Sequence, residues 1–258
     1  MPKRSFLSAS PIGAILSFCS SWGYYSLAEI SSSFSWILLF AVASTHFVLL
    51  YLFASRFQRT PLGEGLRGAI IGLNAGLNTV LLYQLSGSWI VAGILGGLVF
   101  LSAFLFISRH SWYHTVLGYS NWLLPMSWPV SYIGLLIYLV NLLVAPIGYM
   151  HPLLRALRVR LYIDLSTSTF TMYGGLIRPF KGFSGLNMGN FIFINPGWEH
   201  LLRHEIGHLF SLAAMGSVFH YIGGIDENYL QQNYWEAYAE YLAESYNSPS
   251  ASGMSMWR

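Results

Sequence analysis

Residues 34–54 read FSWILLFAVASTHFVLLYLFA, and His46 is the one ionisable side chain among them. About 20 consecutive apolar residues suffice for a helix to cross the hydrocarbon core of a bilayer. Since no formal charge interrupts this run, it predicts a transmembrane helix. The chain is therefore expected to be an integral membrane protein.

Other apolar stretches extend this membrane region. Residues 68–85, 89–107 and 130–150 have a similar character, and a Ser-Gly-Ser sequence at 86–88 separates the first two. Residues 11–30 form a weaker span because serines and glycines interrupt them. We interpret them as a retained first span rather than a cleaved signal peptide.

Residues 110–129 are more polar and aromatic, and they predict a re-entrant or surface-lying segment. Pro125 and Pro129 are expected to break its helix. His110 and His114 are interpreted as anchors at the membrane interface, where amphipathic rings are frequent. Together these patterns predict a mainly α-helical, polytopic bundle of about four to six membrane segments.

The composition supports this class of protein. Hydrophobic residues make up 54% of the 258 residues and charged residues 9%, whereas about 25% of a soluble domain is charged. These fractions exclude a cytosolic globular protein and a disordered one. A net charge of +3 gives no basis for nucleic-acid binding. The single Cys19 excludes a disulfide framework and a cysteine-based zinc site.

The charged residues divide the chain into two regions. Residues 1–150 hold only eight of the 13 basic and 10 acidic residues combined. We therefore predict a transmembrane helical region over 1–150 and a smaller, polar α+β domain over 151–258. Within the second region, β-forming residues predict strands at 158–165, 169–173 and 190–194.

A helix after the third of these strands carries the most informative motif. Residues 204–208 read HEIGH, which is an H-E-x-x-H pattern. On a helix His204 and His208 lie one turn apart on one face, so both imidazoles can reach one zinc ion. Glu205 would lie beside the open coordination position and take a proton from the attacking water. The alternative is a pair of histidines that cap polar ends of the helix.

The next helix offers a third ligand. Glu236 and Glu240 fall one turn apart on one face, and residues 234–244 contain no Lys or Arg to pair with them. Like charges at this spacing repel each other, and a metal ion would remove the conflict. Glu236 is therefore the candidate third ligand, and a solvated acidic face is the alternative.

These two helices resemble the gluzincin zinc metallopeptidases, which pair H-E-x-x-H with a downstream E-x-x-A-D or similar motif. Here HEIGH is followed by Glu236-x-x-Ala239-Glu240, so Glu stands where Asp is usual. The resemblance covers about residues 186–245. The multi-span membrane members of the group, which include bacterial endopeptidases, are the nearest in architecture.

The resemblance implies a small gluzincin-like zinc domain after the membrane region. Its implied zinc ligands are His204, His208 and Glu236. It also implies Glu205 as the general base and Glu240 as the acid that orients a ligand histidine. An upstream edge strand, taken here as residues 190–194, would bind an extended substrate by strand addition.

Some polar residues leave alternatives open. His220, Tyr229 and Tyr234 lie between the two motif helices and are candidate donors to a tetrahedral oxyanion. Glycines at 68, 72 and 76 form a stripe that permits close helix packing. Asn74 and Asn78 need partners inside the bundle, and we favour interhelical hydrogen bonding over a polar pathway.

The sequence thus predicts a membrane-embedded zinc metalloendopeptidase that hydrolyses peptide or membrane-protein substrates at the membrane surface. One alternative is a catalytically silent, metal-binding membrane scaffold. A transporter or channel subunit would rest on four polar residues, namely Asn74, Asn78, His46 and Asn141. Proteolysis inside the bilayer is disfavoured because Arg203 lies in the motif helix.

The basic residues indicate an orientation in the bilayer. Arg56, Arg59 and Arg67 lie around one connection, whereas the connections at 31–33 and 86–88 are uncharged. The positive-inside rule then places the basic side in the cytoplasm. We expect a multi-pass protein of a bacterial cytoplasmic membrane. The zinc domain lies on the cytoplasmic face if residues 110–150 enter and leave the membrane on the same side, and outside if five spans precede it; we favour the cytoplasmic face.

Overall fold

The computed structural model describes residues 10–30, 34–105, 112–177, 184–244 and 246. These residues are mainly helical. The helices are α1 (Pro11–Ile30), α2 (Phe34–Arg56), α3 (Pro61–Ser86), α4 (Trp89–Leu105), α5 (Trp112–Leu123), α6 (Trp128–Met150), α7 (Leu202–Ile225) and α8 (Tyr234–Glu244). The strands are β1 (Val159–Asp164), β2 (Thr169–Gly174), β3 (Gly185–Met188) and β4 (Phe191–Ile194).

Three helices in the described part of the chain are long and apolar enough to cross a membrane. They comprise Ile37–Arg56, Pro61–Ser86 and Pro125–Met150. The apolar runs predicted in α2, α3 and α6 are confirmed at this level. Helices α1 and α4 form but do not meet the same criterion, so these ranges hold three candidate spans against the four to six predicted. Residues 31–33 and 106–111 lie outside the described residues.

The glycine stripe of α3 brings this helix close to α1. A methyl group on Gly68, Gly72 or Gly76 would overlap with atoms of Ser10, Ala14 or Ser21, respectively. Only hydrogen at these Cα atoms allows the two backbones to approach so far. The predicted role of the stripe in helix packing is confirmed.

The segment between α4 and α6 lies against the interior of the protein. Helix α5 ends at Leu123 and a short 3-10 turn begins at Pro125, so the break predicted at Pro125 is confirmed. Pro129 does not break a helix, because it lies in the first turn of α6, where proline is tolerated. His114 is buried, and its ring stacks on Phe210 of α7 with centroids 4.8 Å apart. The interpretation of His114 as an interfacial anchor is therefore wrong, because α5 packs on α7. His110 lies outside the described residues.

The four strands form one sheet in the order β1-β2-β4-β3. Strand β4 pairs in parallel with β2 and antiparallel with β3, and all four of its residues are buried. The strand expected at 190–194 therefore forms, but it is an inner strand and cannot add a substrate strand. The assignment of 190–194 as the edge strand is wrong, because β3 covers its free side.

Helix α7 reverses direction at Gly216. The backbone leaves the helical region there, with φ 82° and ψ 173°, a conformation that favours glycine. His208 and His220 would lie about 18 Å apart on a straight helix, yet their ring centroids are 6.2 Å apart. Helix α7 is therefore a helical hairpin, with a first arm over residues 202–215 and a second arm over 217–225.

Asparagines of α3 stabilise the turn of this hairpin. Asn74 Nδ2 donates to the carbonyl oxygens of Ala213 at 3.1 Å and Ala214 at 3.0 Å, which lack helical partners where the first arm ends. Asn78 Nδ2 donates to the Asn74 carbonyl at 3.0 Å, and its Oδ1 accepts from the Met126 amide at 2.9 Å. The predicted structural role of both asparagines is confirmed.

One hydrophobic core joins residues on both sides of position 150. Buried members before this position include Phe47, Tyr51, Ile70, Leu73 and Leu77. Buried members after it include Ile206, Phe210, Phe219, Tyr234 and Leu242. The hairpin of α7 therefore packs among the candidate membrane spans and is not held apart from them.

Candidate metal centre

Three potential ligand atoms converge where the first arm of α7 meets α8. His204 Nε2 lies 2.9 Å from Glu236 Oε2, and His208 Nε2 lies 3.3 Å from Glu236 Oε1. The two Nε2 atoms are 3.1 Å apart. The structure thus brings together the three residues that the spacing singled out, and the group could hold a metal ion.

The donor atoms have the separations that a small tetrahedral metal requires. Zinc lies about 2.0–2.1 Å from histidine nitrogen and carboxylate oxygen, which places neighbouring tetrahedral ligands about 3.3–3.4 Å apart. The two Nε2 atoms are 3.1 Å apart, and they lie 2.9 and 3.3 Å from the two different oxygens of Glu236, which is close to that value. Two imidazoles and one carboxylate fit zinc and leave a fourth position for water or substrate.

Two glycines allow α8 to lie between the arms of α7. A methyl group on Gly207 of the first arm would overlap with the carbonyl of Ala239, and one on Gly223 of the second arm would overlap with the Trp235 ring. Gly207 falls between the two ligand histidines. This close approach is what brings the Glu236 carboxylate within reach of both imidazoles.

Glu240 lies behind one of the histidines. His204 Nδ1 is 3.1 Å from Glu240 Oε2, while its Nε2 faces Glu236. A ring that donates Nδ1–H to a carboxylate keeps Nε2 free as a metal ligand. Glu240 therefore occupies the position of a residue that orients His204, and the longer side chain in place of Asp reaches it.

Glu205 is buried and faces the edge strand β3. A methyl group on Gly185 would overlap with the Glu205 carboxylate, which places that carboxylate directly against the strand. Asn187 Nδ2 also donates to the Glu205 carbonyl at 3.0 Å. Burial raises the pKa of Glu205 to about 8, although the positive charge of His204 opposes the shift. A carboxyl group with a pKa near neutrality is suited to accept and return a proton.

The ligand side chains compensate one another electrostatically. Burial lowers the pKa of His204, but the hydrogen bond and charge of Glu236 outweigh it and raise the value to about 9. Burial likewise raises the pKa of Glu236, yet hydrogen bonds from His204 and His208 bring it well below its ordinary value. Glu236 is therefore ionised and His204 carries a proton that a metal ion would displace.

His220 is the one proposed oxyanion donor that borders this centre. It is buried on the second arm of α7, and its Nε2 lies 3.1 Å from the Asn187 carbonyl oxygen of β3. Its ring packs on Trp235, which also contacts the ring of His208. Burial lowers the pKa of His220 to about 3, so its ring is neutral.

The two tyrosines proposed as oxyanion donors lie elsewhere. Tyr229 is 81% exposed in the turn between α7 and α8. The Tyr234 ring packs on Tyr51 of α2, and its hydroxyl is hydrogen-bonded to Arg67. The structure therefore does not bring either side chain to the histidine pair.

Asp226 and Glu227, which follow the second arm, have different surroundings. The Asp226 carboxylate accepts hydrogen bonds from the Tyr51 hydroxyl at 2.6 Å and the Tyr234 amide at 3.1 Å, so it anchors the start of α8. Burial raises the pKa of Glu227, and the charge of Glu236 raises it further. Glu227 is thus an acidic neighbour of the centre, which helical spacing could not reveal because it lies in an irregular turn.

The remaining polar residues of the membrane region take part in packing. His46 Nδ1 lies 2.8 Å from the Tyr24 hydroxyl. Asn141 Nδ2 donates to the Ile137 carbonyl at 2.8 Å and its Oδ1 accepts from the Leu176 amide at 2.6 Å. These contacts give no support to a polar transport pathway.

Comparison of the chain with protein-family models, with curated proteins and with solved structures finds no match. The fold and the site geometry therefore carry the functional argument alone.

Proposed function

We propose that this chain is a membrane-embedded, zinc-dependent peptidase. The observation that carries the proposal is the convergence of His204, His208 and Glu236, with Glu240 behind His204 and Glu205 at the side of β3. This arrangement supports hydrolysis assisted by a metal ion. A group of acids and imidazoles formed by chance would not be expected to reproduce the whole arrangement.

The side chains divide the work of peptide hydrolysis. A bound zinc ion would supply Lewis acidity to water and to the scissile carbonyl group. Glu205 accepts the proton of the attacking water and returns it to the leaving amine. The outer edge of β3 pairs with no other described strand. Beside Glu205, this edge would offer backbone groups to an extended peptide, apart from the Asn187 carbonyl that faces His220. Residues 185–188 thus take the role expected of an edge strand at 190–194.

The contacts of the turn after α7 support a cytoplasmic opening of the site. Gln232 accepts a hydrogen bond from Ser55, which lies one residue before the end of the candidate span in α2. Arg56 and Arg59 follow directly in sequence. The turn therefore belongs to the basic end of the spans, which the positive-inside rule assigns to the cytoplasm.

The test is a comparison of wild type and Glu205→Gln in vesicles of the expression host. We expect one zinc per chain in both proteins by metal analysis. Cleavage, measured as new peptide termini by mass spectrometry, should fall by on the order of 10²–10⁴-fold in the variant. Glu199→Gln is the control, because Glu199 pairs with exposed Arg160 and lies outside the ligand group.

The outcomes separate the alternatives. Wild-type protein without bound metal would refute the proposal. Bound zinc without any Glu205-dependent cleavage would favour the silent metal-binding scaffold. A Glu205→Gln variant that cleaves like wild type would refute the assignment of Glu205 as the general base.

A further inference from the structure

The depth of the metal centre in a bilayer can be inferred from its contacts with α3. Asn74 is the fourteenth of the 26 residues of the candidate span Pro61–Ser86, which places it at the middle. Its Nδ2 binds the carbonyls of Ala213 and Ala214 at the turn of the α7 hairpin. The hairpin turn therefore lies at the level of the middle of this span.

The ligand histidines cannot lie far from that level. Ala213 is the fifth residue after His208, which corresponds to about 8 Å along a helix. This distance is an upper limit on their difference in depth, whatever the tilt of the first arm. The backbone of His208 therefore lies within about 8 Å of the middle of the span.

Helix α6 links the centre to α3 by a second contact. The amide of Met126, at the start of the candidate span Pro125–Met150, donates to Asn78 of α3, and Gly134 lies eight residues, about 12 Å of helix, after Met126. A methyl group on Gly134 would overlap with the Met188 carbonyl of β3. The preceding residue, Asn187, has its carbonyl oxygen 3.1 Å from His220 Nε2, and the His220 ring borders that of His208.

The distance along α3 places the centre within the hydrocarbon layer. That layer is about 30 Å thick, so it extends about 15 Å to either side of the middle of a span. We infer that the metal centre lies at the depth of the acyl chains, in the leaflet of the basic side, and that its substrates are peptide bonds in membrane-embedded segments. This inference rests on the proposed peptidase function. It places the reaction in the interior of the membrane, whereas the sequence predicted a reaction at the membrane surface.

The acidic residues provide the polar opening that such a position requires. Ionisable groups at this depth face a water-filled cavity or the interior of the bundle. The Glu240 side chain is 66% exposed, and Glu227 is exposed as well. The second arm then leads from the hairpin turn to Asp226, whose contact with Tyr51 lies near the basic end of α2. A hydrated cleft from the basic side to the metal centre is consistent with these contacts.

The depth is tested by spin labels in a Cys19→Ser background reconstituted into lipid vesicles. Tyr221→Cys places a label next to His220, at a side chain that is 44% exposed. Tyr229→Cys is the matched control, because the turn that contains it is held at the end of α2 by Gln232 and Ser55. Collision of each label with oxygen, which partitions into acyl chains, and with a water-soluble nickel complex reports its depth.

We expect the oxygen-to-nickel collision ratio to be several-fold higher at Tyr221→Cys than at Tyr229→Cys. Equal ratios, or a lower ratio at Tyr221→Cys, would overturn the inference. Zinc content and Glu205-dependent cleavage are measured on the same vesicles. If both persist while the label is shallow, the depth inference fails and the peptidase proposal stands.

The cleavage experiment also tests the proposed substrate class. New termini that depend on Glu205 should fall within or next to apolar, membrane-embedded stretches of host proteins. Termini confined to water-exposed domains would overturn the substrate assignment, even if the metal centre proved to be deep.

Discussion

Replacement of Gly207 by alanine should disrupt metal binding although no ligand is changed. The new methyl group would lie 2.1 Å from the Ala239 carbonyl oxygen, and ordinary contact begins at 3.4 Å. The first arm of α7 and α8 must therefore separate by about 1.3 Å. Metal ligands tolerate displacements of only about 0.2 Å, so Glu236 would be drawn away from the two histidines.

The expected magnitudes follow from this displacement. Overpacking of a well-packed contact costs about 1–3 kcal/mol of stability. Zinc affinity should fall by at least about tenfold, which is the effect of losing an orienting partner alone. Competition with a chelator measures the affinity, and thermal unfolding in detergent measures the stability.

Gly224→Ala is the matched control on the same helix. A methyl group at Gly224 meets no atom within 4 Å, so the change should stabilise the second arm by about 0.5–1 kcal/mol through helix propensity. Zinc affinity should remain that of the wild type. If Gly207→Ala also bound zinc like wild type, the close packing of α7 and α8 would not position Glu236, and our account of the site would be refuted.

Two further predictions concern the ligands themselves. Glu236→Ala should abolish stable zinc binding. Glu240→Ala should weaken zinc binding by about 10–100-fold, because Glu240 only orients His204. If competition with a chelator gave equal zinc affinities for the two variants, these roles would be contradicted. Zinc binding at pH 7 should release about one proton, because His204 has a pKa of about 9 and must lose its proton to bind. The zinc affinity should then rise about tenfold per pH unit up to about pH 9. Titration calorimetry in buffers of different ionisation enthalpy measures the proton release. If no proton were released, His204 would not be a ligand.

The grouping of the site could be predicted because it depends on local spacing. Two histidines one turn apart on a helix share a face in any fold that contains the helix. The same rule places Glu236 and Glu240 on one face of α8. For these carboxylates to meet the histidines, α7 and α8 must also approach each other closely at Gly207. The HEIGH motif contains this glycine, but the motif alone does not reveal the contact.

The hairpin in α7 could not be predicted in the same way. Residues 209–219 are mostly apolar and contain no proline, so the glycine at 216 is compatible with a straight helix. The turn depends on Asn74, which is more than a hundred positions away and binds the freed carbonyls. The periodicity of the sequence cannot reveal a partner that lies so far away along the chain.

The edge strand and the role of His114 were missed for related reasons. Strand β3 is four residues long and reads GLNM, which lacks the β-branched and aromatic residues that mark a strand. His114 was interpreted from the aromatic character of its neighbours. Its burial is decided by the packing of α5 on α7, which is a tertiary contact.

The charges around the site favour a bound cation over an acidic face that is merely solvated. Four carboxylates, those of Glu205, Glu227, Glu236 and Glu240, interact with His204 or with one another. Helix α8 contributes no Lys or Arg. Glu205, with a pKa of about 8, is largely neutral at pH 7, but a single protonated histidine cannot compensate the other three acids. Ionised groups at the depth of the acyl chains are costly unless they are paired or hydrated. A divalent ion held by His204, His208 and Glu236 would supply positive charge at the point where these acids converge, so the inferred depth of the site and its acidity favour the same ligand.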